Sequence, residues 1–165
     1  MDYDLDALAG ETLAACRARG DRLATAESCT GGLIATALTE IAGASDVVIC
    51  GYVTYSNAAK SRMLGVDGAT LKTRGAVSET VARQMADGAL ARSGAEIAVS
   101  VTGIAGPGRS WKKPEGRVCF GLARAGHPTT TMLVAFGAAG RSNVRLETAK
   151  TALVALRDGV LPSSR

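Results

Sequence analysis

Two apolar, β-rich runs set most of what this chain can fold into. Val47 to Thr54 and Ile97 to Val101 are nearly all apolar, so both read as strands covered on both faces. Each run leaves into a turn of small and polar residues. Tyr55-Ser56-Asn57 follows the first, and Thr102-Gly103-Ile104-Ala105-Gly106-Pro107-Gly108 follows the second. A shorter strand, Arg22 to Ala26, runs into Glu27-Ser28-Cys29. Helical stripes lie before and between the strands. One contains Leu5, Leu8, Ala9, Leu13 and Cys16. Another contains Leu33, Ile34, Ala37, Leu38 and Ile41, opened by Thr30-Gly31-Gly32 and ended by Gly43. Ala58 to Leu64 reads as a short helix stopped by Gly65, Ser78 caps a helix through Leu90, and Val144 to Leu156 forms the last helix. Val118 to Ala123 and Thr130 to Phe136 alternate and pair as a hairpin around Gly126-His127-Pro128. Helices interleaved with buried strands predict an α/β chain, a three-layer α/β/α sandwich with a mixed, mostly parallel sheet.

The 165 residues contain no internal repeat, low-complexity tract or linker, so one domain over 1–165 is expected. With 47% hydrophobic and only 4% aromatic residues, the core has to be built from Ala, Val, Leu and Ile. No apolar run reaches the roughly 18 residues of a membrane span, and Met1 to Leu5 carry acids where a signal peptide has an apolar stretch. A soluble cytoplasmic protein without a membrane partner is the expectation. The net charge of +4 raises the question of nucleic acid. The basic residues are scattered, however, and their densest group, Arg109, Lys112 and Lys113, sits in one loop without an aromatic ladder. A small anionic ligand accounts for that charge at least as well, and no nucleic-acid partner is expected. The cysteines at 16, 29, 50 and 119 form no Cys-x-x-Cys pair, which points to free thiols rather than a metal site or disulfides.

In a sheet of this kind the ligand crevice forms at the carboxyl ends of the strands. Three exits qualify: Glu27–Gly32, Thr54–Lys60 and Thr102–Gly108. The chemistry they can carry is narrowed by what is missing. The single histidine, His127, falls on a predicted hairpin turn, so a Ser-His-Asp arrangement and a histidine-rich metal site are both disfavoured. A hydrolase built on this chain needs Lys, Tyr, Asp or Glu as its base. Ser28 stands between strand and helix, near backbone N–H groups expected to be unpaired at the helix start, which suit an oxyanion or a phosphate. Gly31 and Gly32 let a ligand approach the backbone. The competing reading makes Ser28 or Thr30 an ordinary N-cap. Cys29 is a rival nucleophile without a histidine to activate it. Lys60, one turn into its helix, points back toward the strand end and can act as base if desolvation lowers its pKa, with Tyr55 relaying or orienting the proton. Otherwise Lys60 is a solvated helix lysine. The Thr102–Gly108 turn resembles a phosphate cradle in composition but matches neither Walker nor dinucleotide fingerprints. Arg141 and Arg145, one turn apart, offer a guanidinium fork to a phosphate or simply a solvated helix face.

Taken together, these segments resemble the CinA C-terminal domain family, which includes stand-alone nicotinamide-nucleotide amidases. The resemblance is carried by Thr25-Ala26-Glu27-Ser28-Cys29-Thr30-Gly31-Gly32, Val53-Thr54-Tyr55-Ser56-Asn57-Ala58-Ala59-Lys60, Gly75-Ala76-Val77-Ser78-Glu79, Val101 to Gly108, and Lys113-Pro114-Glu115-Gly116, in order over about Leu13 to Leu156. It implies a three-layer fold, often in a homo-oligomer. It also implies hydrolysis of nicotinamide mononucleotide to nicotinic acid mononucleotide and ammonia, with neither metal nor cofactor. By position, Ser28 would be the nucleophile, Lys60 the general base and Tyr55 a supporting proton-handling residue. Cys29, Thr30, Gly31, Gly32, Thr102, Gly103, Ala105 and Gly106 would line the nucleotide site, with Arg141 and Arg145 toward the phosphate. Two departures stand out. Arg109-Ser110-Trp111-Lys112 replaces the small residues that often follow Gly-Pro, so this loop closes over the ligand, meets a neighbouring subunit or restricts the site. The N-terminal pyrophosphatase domain of larger members is not expected here. A catalytically silent nucleotide-binding or regulatory domain of the same family is the second reading.

Overall fold

The computed structural model describes residues 3–163. Its five strands are β1 (Leu23–Glu27), β2 (Val48–Val53), β3 (Ile97–Gly103), β4 (Arg117–Arg124) and β5 (Thr130–Ala135). They form one sheet in the order β2-β1-β3-β4-β5. Parallel pairing joins β2 to β1 and β1 to β3, while β3–β4 and β4–β5 are antiparallel, so β4 alone runs against the rest.

Helices cover both faces. On one lie α1 (Tyr3–Arg19), α2 (Leu33–Glu40) and α6 (Arg141–Asp158), sharing a core with Leu23, Val99, Phe120 and Met132. On the other lie α3 (Asn57–Leu64), α4 (Gly68–Arg74) and α5 (Glu79–Ser93), around Ala24, Ala26, Met85 and Ala98. This is the three-layer α/β/α sandwich with a mixed sheet. Ala, Val, Leu and Ile supply most of the core, and small side chains let the layers approach closely. Among the described residues no helix is long and apolar enough to cross a membrane.

The expected helices form, with two differences at the ends. α5 runs on to Ser93, and α6 begins at Arg141, three residues before the apolar stripe. Helix α4 was not anticipated: only Leu71 of its seven residues is buried, so it has no stripe to read. Its signal is Asp67, whose carboxylate accepts from the Thr70 N–H at 3.0 Å. Among the strands, the difference is β2. It is an edge strand whose residues alternate between half-buried and exposed, with Ile49 and Val53 open, rather than a strand covered on both faces. Composition cannot report strand order, and here order puts the most apolar run at the rim.

One glycine sets the spacing of the second helical layer. A Cβ on Gly88 of α5 would lie 2.0 Å from the Leu64 carbonyl oxygen at the end of α3. The obstacle is backbone, which cannot swing aside. Gly88→Ala is therefore expected to lower stability by about 1–3 kcal/mol through overpacking. Urea unfolding checks this, and an unchanged midpoint would refute the close contact.

Candidate active site

β1 ends at Glu27, and the carboxylate of that residue, fully buried, turns over the start of α2. Its two oxygens accept from the Ile34 N–H (2.9 Å), the Ala35 N–H (3.0 Å), the Thr30 hydroxyl (2.7 Å) and the Thr25 hydroxyl (3.4 Å). The first-turn N–H groups of α2 are thus spent on Glu27, which corrects the expectation that they are unpaired. Nor is Ser28 or Thr30 the N-cap. That position is Gly32, at φ 99° in the left-handed region that suits glycine. The donors still uncommitted are in the turn itself: among the described residues, the N–H groups of Cys29, Thr30 and Gly32 bond to no other backbone group.

α3 opens at Asn57 with Ser56 as its cap, the Ala59 N–H donating to Ser56 Oγ at 3.1 Å. Lys60 is therefore in the first turn, and helical side chains lean toward the N-terminus. That tilt carries the amine back to the sheet. Lys60 Nζ donates to Ser28 Oγ at 2.9 Å, to the Thr54 carbonyl at 2.8 Å and to the Tyr55 carbonyl at 3.4 Å. The residue is 1% exposed. Burial away from water disfavours the ammonium and pushes its pKa down to about 8. The arrangement suits both protonation states. An ammonium has three protons for three acceptors. A neutral amine has two for the carbonyls and a lone pair for the serine O–H.

Next to this pair, Cys29 is buried, and burial pushes its thiol up to about 12, far from a reactive thiolate. The Tyr55 ring is exposed, and its hydroxyl accepts from Arg141 Nη2 at 2.9 Å rather than meeting Lys60. Arg141 Nη1 also donates to the Gly106 carbonyl at 2.9 Å. The guanidinium so ties the second strand exit to the third. Thr102 is buried, and its hydroxyl donates to the Ala76 carbonyl at 2.8 Å, fastening the α4–α5 connection to β3. Glu115 sits under Gly106, where a Cβ would come within 2.4 Å of its carboxyl carbon, and accepts the Gly108 N–H at 2.7 Å.

These groups surround a cavity of about 350 Å³. Ser28, Cys29, Tyr55, Lys60, Thr102, Gly103, Ala105, Gly106 and Arg141 line it, as does Arg109. No Asp or Glu does, so the walls present cations without a compensating carboxylate. Thr30, Gly31, Gly32 and Arg145 are outside that lining. Arg145 Nη2 instead donates to the Thr30 carbonyl at 2.8 Å, bracing the Ser28 turn from behind. The fork expected of Arg141 and Arg145 is thus divided, one arm at the cavity and one beneath it. Glu27 and Glu115 were the functional neighbours missed from sequence. Nothing local in the sequence signals that the Ile34 and Ala35 N–H groups converge on Glu27, or that the Gly108 N–H reaches Glu115. His127 is exposed on its turn, away from the cavity.

The strand exits define the class, an α/β/α domain with a cavity at the carboxyl ends of its strands and a hydrogen-bonded Ser28–Lys60 pair in its wall. The chain belongs to the CinA C-terminal domain family, whose model matches residues 5–160. The nicotinamide-nucleotide amidohydrolase PncC of Enterobacter agglomerans is 50% identical over 156 residues, 93% of this chain and 94% of that protein. A CinA-like protein of Mycolicibacterium vanbaalenii is 50% identical over 139 residues, 84% of this chain but 33% of the relative. This chain spans about a quarter to a third of the length of several such CinA-like relatives. Among solved structures, the competence/damage inducible protein CihA of Agrobacterium tumefaciens superposes with a TM-score of 0.89 at 49% identity, covering 94% of this chain and 97% of that one.

Proposed function

We propose that this chain is a nicotinamide-nucleotide amidohydrolase that converts nicotinamide mononucleotide and water to nicotinic acid mononucleotide and ammonia. The observation that carries the reading is the 2.9 Å contact between a buried Lys60 amine and Ser28 Oγ, at the floor of a cationic cavity. The PncC relative supplies the substrate class.

Neutral Lys60 accepts the Ser28 proton as Oγ attacks the carboxamide carbon. The resulting oxyanion is held by the uncommitted N–H groups of the Cys29–Gly32 turn. The protonated Lys60 then hands its proton to the leaving nitrogen, and ammonia departs. Water, giving a proton to the same amine, attacks the acyl-serine; the acyl carbon–Oγ bond then breaks as Lys60 returns that proton to Ser28 Oγ, and the nicotinate carboxyl group is released. Arg141 and Arg109, with the Ala105–Gly106 backbone, receive the phosphate. Tyr55, oriented by Arg141, closes the wall beside the reacting amide. Thr30, Gly31, Gly32 and Arg145 act from outside the cavity by fixing the turn, while Thr102 and Gly103 shape its floor. The protein acts without a resident cofactor, as a cytoplasmic homo-oligomer, in keeping with the family resemblance.

The decisive assay is ammonia release from nicotinamide mononucleotide by the purified protein without added metal. Turnover supports the reading. Binding of the nucleotide without turnover would make the chain a silent nucleotide-binding domain and end the amidase proposal.

The pH dependence has a defined sign. Only the neutral amine is a base, and a lysine with a pKa near 8 is deprotonated in roughly one molecule in ten at pH 7, against about one in 2,500 for an ordinary lysine. kcat/KM is therefore expected to rise nearly tenfold per pH unit below 8 and level off above it. A flat profile between pH 6 and about 9 would rule out Lys60 as the base.

A further inference from the structure

We propose that the groove beside the catalytic cavity is a second binding compartment, for a purine ring carried on a phosphate. The groove encloses about 610 Å³ and shares Asn57, Ala76, Val77, Ile104 and Ser110 with the catalytic cavity, so the two form one continuous depression. Its walls are largely apolar, with Leu71, Ile104 and Trp111 in the lining. No Asp or Glu lines it, whereas Lys72 and Lys113 do. An apolar slot with an aromatic wall and cations but no carboxylate suits a planar, anionic ligand.

Trp111 is the feature that points to a ring. It is the chain's single tryptophan, and 60% of it is exposed. Its turn is closed by reciprocal bonds between Ser110 and Lys113, 3.0 and 2.9 Å, with Trp111 at φ 47° and Lys112 at φ 64°. Both central residues thus adopt a conformation that favours Gly or Asn. Two anchors hold the turn in this costly state. The Lys113 amine donates to the Arg74 carbonyl at 2.8 Å and to the Val77 carbonyl, and the indole lies directly on Gly75, where a Cβ would meet the ring at 2.5 Å. Lys113 Nζ also stands 5.0 Å from the ring centroid. Strain maintained by separate anchors, with an exposed indole at the rim as its result, marks a surface kept for stacking. Arg109 and Ser110 of this loop thus line the Ser28 cavity, while Trp111 builds the wall of the adjoining groove.

The occupant is either a free purine nucleotide or the purine half of a pyridine dinucleotide whose other half reaches Ser28. Only the second source rests on the amidohydrolase reading. Because Trp111 has no other tryptophan beside it, its fluorescence reports on the groove directly, with excitation at the red edge to avoid purine absorption. Titration with adenosine monophosphate is expected to change that signal saturably, with a Kd below about 1 mM. Gly68→Phe provides the block. Gly68 is exposed at the start of α4, a Cβ there meets nothing within 4 Å, and the residue lines the groove. This variant should weaken binding at least about tenfold while keeping Trp111 as reporter. Lys72→Glu should weaken the monophosphate but not adenosine.

A dinucleotide that binds at least about tenfold tighter than the monophosphate, and is competed by nicotinamide mononucleotide, identifies the spanning ligand. Equal affinities without competition identify the free nucleotide. No saturable signal from either, or an affinity untouched by Gly68→Phe, overturns the proposal. Ammonia release is measured separately, so loss of the catalytic reading would leave this result standing, and the reverse holds equally.

Discussion

Lys60→Met is expected to abolish ammonia release, by at least about a thousandfold in kcat, while leaving the protein as stable as the wild type or more so. The two halves of that result follow from one fact. An amine 1% exposed and pushed down to about 8 is being held where its charged form is disfavoured. An unbranched apolar side chain of similar length fills the same space without that cost, though the Thr54 and Tyr55 carbonyls each lose a donor. The opposite requirements of folding and chemistry at one position are the signature of a functional group rather than a structural one. Ser28→Ala should lose a comparable factor with the fold intact. Steady-state kinetics beside thermal unfolding decides the matter. If Lys60→Met kept turnover, the dyad would be a structural contact. If it unfolded, Lys60 would be a buried anchor.

The second large effect belongs to Glu27. Replacing it by Ala leaves the Ile34 and Ala35 N–H groups and the Thr30 hydroxyl without their acceptor in a buried place. Removing a cap costs about 1–2 kcal/mol, and stranded buried donors add to that, so a loss of roughly 2–4 kcal/mol is expected. Glu27→Gln is the sharper test, because it keeps the shape and replaces one acceptor oxygen by an N–H donor facing another donor. In a protein that stays folded, it should lower kcat by about 10- to 100-fold through a shifted Ser28 turn and leave KM nearly unchanged. A proportional rise in KM instead would show that Glu27 serves binding.

Much of this architecture can be read from residues alone, and the reasons for the exceptions are physical. The three strand exits were visible because apolar runs end abruptly in Ser, Thr, Asn and Gly. The proximity of Ser28 and Lys60 could be reasoned from a helix tilt and a parallel crossover, both local rules. What escaped was set by tertiary partners. β2 looks like an interior strand until the order β2-β1-β3-β4-β5 puts it at the rim. Arg141 and Arg145 share a helix face by spacing, yet one reaches Tyr55 and Gly106 while the other reaches Thr30. α4 carries too short an apolar pattern to register, although its cap was present in Asp67. The Trp111–Lys112 turn runs against residue preference, and such an exception cannot be derived from the preference it violates.

The strand order has one more consequence. The three exits that build the cavity come from β2, β1 and β3, neighbours in the sheet, and hydrogen-bonded register fixes the distance between them. The stretch from Ile41 to Val47 leads from the end of α2 into the start of β2, at the opposite end of the strands from the cavity, and none of its residues lines the cavity. Ala44 and Val47 are held in the core, but the exposed positions around Ala42 are free of the site's tolerances. Insertions and deletions there can accumulate in descendants of this chain without moving the serine relative to the lysine, which makes this connection a natural point for lineage-specific variation and for grafting a tag or reporter.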